Sequence, residues 1–280
     1  MSKVYLIGDL HGSFKPIRDF DKWNQGKQTF NDTMIVLGDF GGNFCFDYHD
    51  RNFKEKLGKY HMTYFVIRGN HDARPTDCMN NDSANWHAES YFDNTVYVEN
   101  KYPYIKYAMD KVFFYKILGQ TALVIPGAYS VDKYWRIKNK MPWFENEQFN
   151  EDERARGEHL ISTHEPPDII LSHTCPKIYV PTDLFLKDID QSMVDTSMEE
   201  YLGKIEYQLQ PYKLWAWGHY HETRVYPKWE GRQPLMLYND AVLDLNQFVL
   251  YLLICNMGIG RILVKLFVSL FLLDLLFVGV

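Results

Sequence analysis

The chain has 280 residues, 24% of them charged and 46% hydrophobic, and a net charge of −6. That composition excludes a disordered protein, and a negative chain without a basic run excludes a large nucleic-acid footprint. Four cysteines (Cys45, Cys78, Cys175, Cys255) without CxxC spacing exclude a disulfide scaffold; with Met1 leading straight into a strand, the expected home is a reducing cytoplasm.

In chain order, Val4 to Ile7 reads as a strand, Phe14 to Trp23 as a helix opened near Pro16, and Met34 to Leu37 as a second strand. Asp50 to Tyr60 reads as a helix and Tyr64 to Ile67 as a third strand, which gives βαβαβ order. Val112 to Leu118 and Thr121 to Ile125, separated by Gly119-Gln120, predict a hairpin. A charged surface helix over Glu147 to Ile161 follows, then a buried strand at Ile169 to Leu171 and a helix from Met198 to Leu209 that stops before Pro211. Leu214 to Trp217, Thr223 to Tyr226, Leu235 to Tyr238 and Val242 to Leu245 read as closing strands. The pattern predicts an α/β fold with helices layered outside the strands, as one domain over residues 1–247.

Residues 248–280 break with this pattern. Their only ionised side chains are Arg261, Lys265 and Asp274, and the apolar stretch from Ile262 to Val280 is 19 residues long, just enough to cross a bilayer. Against spanning, Asp274 in the hydrocarbon would cost roughly 2.5 to 3.5 kcal/mol, and no basic anchor follows. Three readings stay open for this appended segment: membrane contact through 262–280, a packing or oligomer-forming helix, or a non-native end.

Five short fragments follow strands: Gly8-Asp9-Leu10-His11-Gly12, Gly38-Asp39, Gly69-Asn70-His71-Asp72, His173 and Gly218-His219-Tyr220-His221. Ligand sites of open α/β sheets gather at the carboxyl ends of strands, so these fragments can converge on one pocket. Asp9 and His11, two apart at a strand end, offer an oxygen and a nitrogen to one cation. Asp39 would bridge two cations, and Asn70 adds a neutral carbonyl oxygen. Two histidines at 219 and 221, directly after an apolar strand and a glycine, are hard to explain as packing. With His173 they complete a nitrogen and oxygen set without thiolate, which suits Mn, Fe or Zn.

The series resembles the calcineurin-like metallophosphoesterase superfamily over roughly residues 1 to 246, and the segment from Gly127 to Arg136 resembles a loop of its small bacterial and phage members. The resemblance implies a four-layer αββα sandwich and two divalent metal ions, with manganese favoured. It places Asp9, His11, Asp39 and His221 on one ion and Asp39, Asn70, His173 and His219 on the other. His71 would donate a proton to the ester and Asp72 would orient it. A hydroxide shared by the ions would attack phosphorus in line, with His71, at a pKa near the working pH, protonating the leaving alkoxide.

One departure narrows the subfamily. Where protein phosphatases and dinucleoside tetraphosphatases carry Asp-Arg-Gly, this chain reads Asp39-Phe40-Gly41-Gly42-Asn43, so the usual phosphate clamp is missing. Arg74, Lys133 and Arg136 are the candidate substitutes. The favoured reading is a phosphatase acting on a phosphorylated small molecule or phosphoprotein. Its alternatives are a phosphodiesterase or nuclease of the same superfamily and a non-catalytic metal-binding scaffold.

Overall fold

Strands that are apolar on consecutive rather than alternate residues must be covered on both faces, and the central runs of this chain are used in that way. A computed structural model describes residues 2–185, 191–256 and 276–278. In β1 (Val4–Ile7), β2 (Thr33–Leu37) and β3 (Thr63–Ile67), Val4, Leu6, Ile35, Leu37, Phe65 and Ile67 face an inner core. The residues between them, including Tyr5, Ile7, Met34, Val36, Tyr64 and Val66, face an outer one. Three further strands, β4 (Trp86–Tyr91), β5 (Asn94–Glu99) and β6 (Ile105–Tyr107), extend this sheet on one side.

The second sheet is built from β7 (Phe113–Ile117), β8 (Gln120–Ile125), β9 (Ile169–Ser172), β10 (Leu214–Trp217), β11 (Arg224–Val225) and β12 (Gln233–Met236), in the order β11-β12-β10-β9-β8-β7. The chain then returns to the first sheet through β13 (Ala241–Asp244), antiparallel to β1, and β14 (Leu276–Val278) pairs with β13. Inward residues of both sheets, among them Val124, Leu171 and Ala216, close the inner core. Outside the first sheet lie α1 (Lys15–Trp23), α2 (Tyr48–Leu57) and α3 (Pro75–Asn81), which bury Ile17, Phe20, Phe53, Leu57 and Cys78. α4 (Lys133–Lys138) buries no residue. α5 (Glu151–Ser162) and α6 (Ser197–Glu206) cover the second sheet with Ile161, Met198, Leu202 and Ile205. Helices, sheet, sheet and helices make the expected αββα sandwich.

Several boundaries move. The helix expected from Glu147 begins at Glu151, because Asn150 accepts the Glu153 N–H and Glu153 answers on the Asn150 N–H, a reciprocal cap that fixes the start. Glu147, expected on a solvated helix start, is instead buried. α2 starts two residues before Asp50 and stops at Leu57, where the backbone tightens into a 3₁₀ turn over Gly58–Tyr60. The strand expected over Thr223 to Tyr226 is reduced to β11. The hairpin β4–β5, the strand β6 and the helices α3 and α4 were not expected.

The final helix, α7 (Leu245–Asn256), runs across position 247, and Phe248 and Val249 are buried in the inner core. Apart from Leu276–Val278, the segment 262–280 lies outside the described residues. Among the described residues, no helix is long and apolar enough to cross a membrane.

Candidate metal centre

β1, β2 and β3 run parallel, as do β9 and β10, so the loops leaving their carboxyl ends meet at one edge of the sandwich. All seven candidate ligands are there. Asp9, Asp39, Asn70 and His173 are buried, whereas the side chains of His11 and His221 are 32% and 52% exposed, so the cluster has a closed floor and an open mouth. Asp9, His11 and His221 form one group of converging donors, and Asp9, Asp39 and His173 form another. His219 packs its ring against His173 at 5.0 Å between centroids.

The backbone is bent to make this possible. His11, Asp39, His219 and His221 hold φ of 47°, 46°, 73° and 54°, a left-handed conformation that costs a non-glycine residue about 1 kcal/mol or more. Gly38, at φ 97°, lies so close to the His173 ring that a Cβ there would overlap it, and a Cβ on Gly69 would overlap the Asp39 carboxylate.

The donor atoms fit divalent cations. His173 Nδ1 lies 2.8 Å from the Leu37 carbonyl, which can only accept, so the proton is on Nδ1 and Nε2 presents a lone pair. That Nε2 is 2.8 Å from Asn70 Oδ1 and 3.4 Å from Asp39 Oδ1, so acceptors converge with no proton of the neutral ring between them. Nε2 of His11 and Nε2 of His221 are 2.9 Å apart. Two nitrogens bound to one cation at roughly 2.1 Å lie about 3 Å from each other. Asp39 Oδ2 is buried without a hydrogen-bond partner, 3.9 Å from the Nε2 atoms of both His11 and His71. Both Asp9 oxygens accept the His219 N–H, at 3.1 and 2.9 Å.

Burial and crowding set the charges. Burial, then the Asp39 charge, pushes the Asp9 carboxyl well above the ordinary carboxylate range. Asp39 is raised by burial too, but the imidazoles of His173, His71 and His11 outweigh this and hold it below that range. Burial lowers His173 to about 4 and also lowers His219 and His221, which leaves these rings neutral, the form that binds a metal.

The residues assigned around the cluster divide. His71 is at the mouth, with its backbone N–H on Asp39 Oδ1 at 2.8 Å. Burial pushes its pKa down from the ordinary imidazole value. Asp72 does not orient the His71 ring. Its carboxylate accepts the backbone N–H groups of Phe40, Gly41 and Gly69 and ties two strand-end loops together. Arg74 is not a clamp in this arrangement: its guanidinium donates to Glu153 and to the carbonyls of Asn146 and Gln148. Lys133 lies over the Trp143 ring at 4.6 Å. Arg136 alone of the three reaches the cluster, with Nη2 3.4 Å from His71 Nε2.

Three participants went unnoticed in the sequence. Phe44 supports both His71 and Arg136, at ring distances of 5.5 Å each. Ser130 and Glu147 form a buried chain behind Asn70. An aromatic five residues past Asp39 and an acidic residue inside an acidic run carry no sequence signal of their own.

The sequence matches the calcineurin-like phosphoesterase family over residues 2–223. The chain belongs to this family. It is therefore a phosphoester hydrolase, and the family implies divalent metal ions at the cluster. Similar solved structures include the phosphopantetheinyl hydrolase of Mycobacterium tuberculosis (12% identity, 85% of this chain and 90% of that chain covered, TM-score 0.46). A Thermus thermophilus protein (14%, 88% and 95%, 0.48) and a dimetal phosphatase from Danio rerio (10%, 86% and 94%, 0.43) are others. No curated protein matches the sequence significantly.

Proposed function

We propose that this calcineurin-like phosphoesterase is a phosphatase that removes phosphate from monoesters of a small molecule or protein, using two divalent cations, with manganese favoured. The observation that carries the reading is Asp39. A buried carboxylate with an unpartnered Oδ2 on the His11 side and Oδ1 on the His173 side is built to face two cations at once. Asp9, His11, Asp39, Asn70, His173, His219 and His221 would hold the cations, which would supply Lewis acidity toward phosphoryl oxygens and activate water.

The remaining steps fall to the chain. Arg136, carried on Phe44, takes the place of the missing Asp-Arg-Gly arginine and pairs with a phosphate oxygen. A guanidinium only donates, so its contact makes His71 Nε2 an acceptor. An arriving phosphate that draws Arg136 away frees Nε2 to take up a proton from solvent, and the imidazolium so formed returns that proton to the leaving oxygen.

A second reading, diester cleavage, is favoured by a cleft of about 380 Å³ beside His11, walled by Ser13, Lys15, Tyr238 and Asn239, which has room for a second ester substituent. The test is turnover of p-nitrophenyl phosphate, bis-p-nitrophenyl phosphate and a phosphopeptide with Mn²⁺ added. Preference for the first or third is expected, and preference for the second gives the diester reading. No turnover on any, with metal bound, would replace both by a metal-binding scaffold.

A further inference from the structure

An asparagine amide can present either its oxygen or its NH₂ to a cation site, and only the oxygen binds a metal. Asn70 Nδ2 lies 3.0 Å from Ser130 Oγ. Ser130 Oγ lies 2.5 Å from Glu147 Oε2, and the Ser130 backbone N–H donates to Glu147 Oε1 at 2.9 Å. All three residues are buried, at 2%, 1% and 2% exposure, so water does not substitute for any link. A carboxylate only accepts, so the Ser130 hydroxyl donates its single hydrogen to Glu147. The oxygen of Ser130 then has only lone pairs left for Asn70, and the Asn70 NH₂ must turn toward it. Oδ1 is thereby forced to the other side, 2.8 Å from His173 Nε2.

We propose that Glu147, acting through Ser130, is a positioning residue that fixes the Asn70 amide with its oxygen toward the cation shared with His173. The inference rests on reading Asn70 as a ligand. It explains why an acidic side chain is buried behind a cluster that already holds two carboxylates: an amide in place of Glu147 could fill the same space but would reverse the chain. With the oxygen of that amide on the Ser130 N–H, its NH₂ would donate to Ser130 Oγ. The hydroxyl hydrogen would then be free to seek the Asn70 oxygen.

The experiment uses the full chain stripped of metal by a chelator, with Mn²⁺ binding followed by calorimetry. Glu147→Gln is expected to weaken the second Mn²⁺ by about 10- to 100-fold, the usual effect of losing a group that orients a ligand. In an Asn70→Asp background the effect should vanish, because a carboxylate presents an oxygen whichever way it turns. Restored binding in that double variant cannot come from misfolding. Unchanged binding in Glu147→Gln overturns the proposal, as does an equal loss in both backgrounds. Should Glu147→Gln not fold, Ser130→Ala carries the test, with the same loss expected and unchanged binding overturning it. Asn70→Ala separates the two levels. If it leaves both Mn²⁺ ions bound, the ligand reading fails and takes the relay with it. If it releases one while Glu147→Gln releases none, only the relay fails.

Discussion

Arg136 Nη2 stands 3.4 Å from His71 Nε2, with the Phe44 ring beneath both. A cation next to an imidazole disfavours its protonation, and Arg136 adds to the burial that already lowers His71. Arg136→Ala should therefore do two things at once. The KM for p-nitrophenyl phosphate should rise roughly 10- to 100-fold, for one lost charge-assisted hydrogen bond. The pKa of His71 should rise, moving the corresponding limb of the kcat profile to higher pH. An unchanged KM would remove Arg136 from phosphate binding.

His71 borders the cluster without belonging to either group of converging donors. His71→Ala should lower kcat by about 10²- to 10⁴-fold, the range for a lost proton donor, with Mn²⁺ content unchanged. Metal analysis of the purified variant decides between roles: if a Mn²⁺ ion is lost, His71 is a ligand.

Asp39 is different in kind. Asp39→Asn removes the charge that three imidazoles surround and that, in the proposed centre, would face both cations. Turnover should fall to background and bound Mn²⁺ below two per chain. Two Mn²⁺ ions retained in this variant would show that the bridge lies elsewhere, with Asp9 next in line since it belongs to both groups of converging donors.

The strand ends were legible because a strand covered on both faces is a continuous apolar run, and each run here stops at a residue whose chemistry is unlike it. Position off the strands was less legible. Arg74 is four residues from Asn70 in sequence, yet it precedes a helix that turns its guanidinium to Glu153 of α5. Arg136 is 66 residues from Asn70 and arrives at the mouth. Glu147 shared an acidic run with Glu151 and Asp152, and sequence does not tell a buried carboxylate from a solvated one. The β4–β5 hairpin escaped notice because half of β4 is exposed and its turn places Phe92 and Asp93, without a glycine, at φ 52° and 60°.

Gly38 offers a test of the backbone rather than of the chemistry. A methyl group there meets the buried His173 ring, which is held by Leu37 and cannot retreat, and the alanine must also adopt φ 97°. Gly38→Ala should destabilise the fold by about 2 to 4 kcal/mol and lower Tm, with metal-binding loss in whatever protein remains folded. A melting curve unchanged from the parent would mean that the Asp39 loop is free to move away from β9.

Acid should weaken metal binding through the Asp9 carboxyl. Without metal, burial and then Asp39 raise the Asp9 carboxyl, and the same two causes raise Asp72 to about 6. Burial meanwhile lowers His173 to about 4 and lowers His219 and His221. A cation requires ionised Asp9 and neutral histidines. Affinity should therefore fall as pH drops through the raised pKa of Asp9, while burial makes these rings weaker competitors for protons than a free imidazole. Calorimetry at about pH 6 in two buffers of different ionisation enthalpy should find fewer than about four protons released as the Mn²⁺ sites fill. Release of about four or more would mean that the rings are charged in the metal-free protein, and burial would not be what keeps them ready to bind.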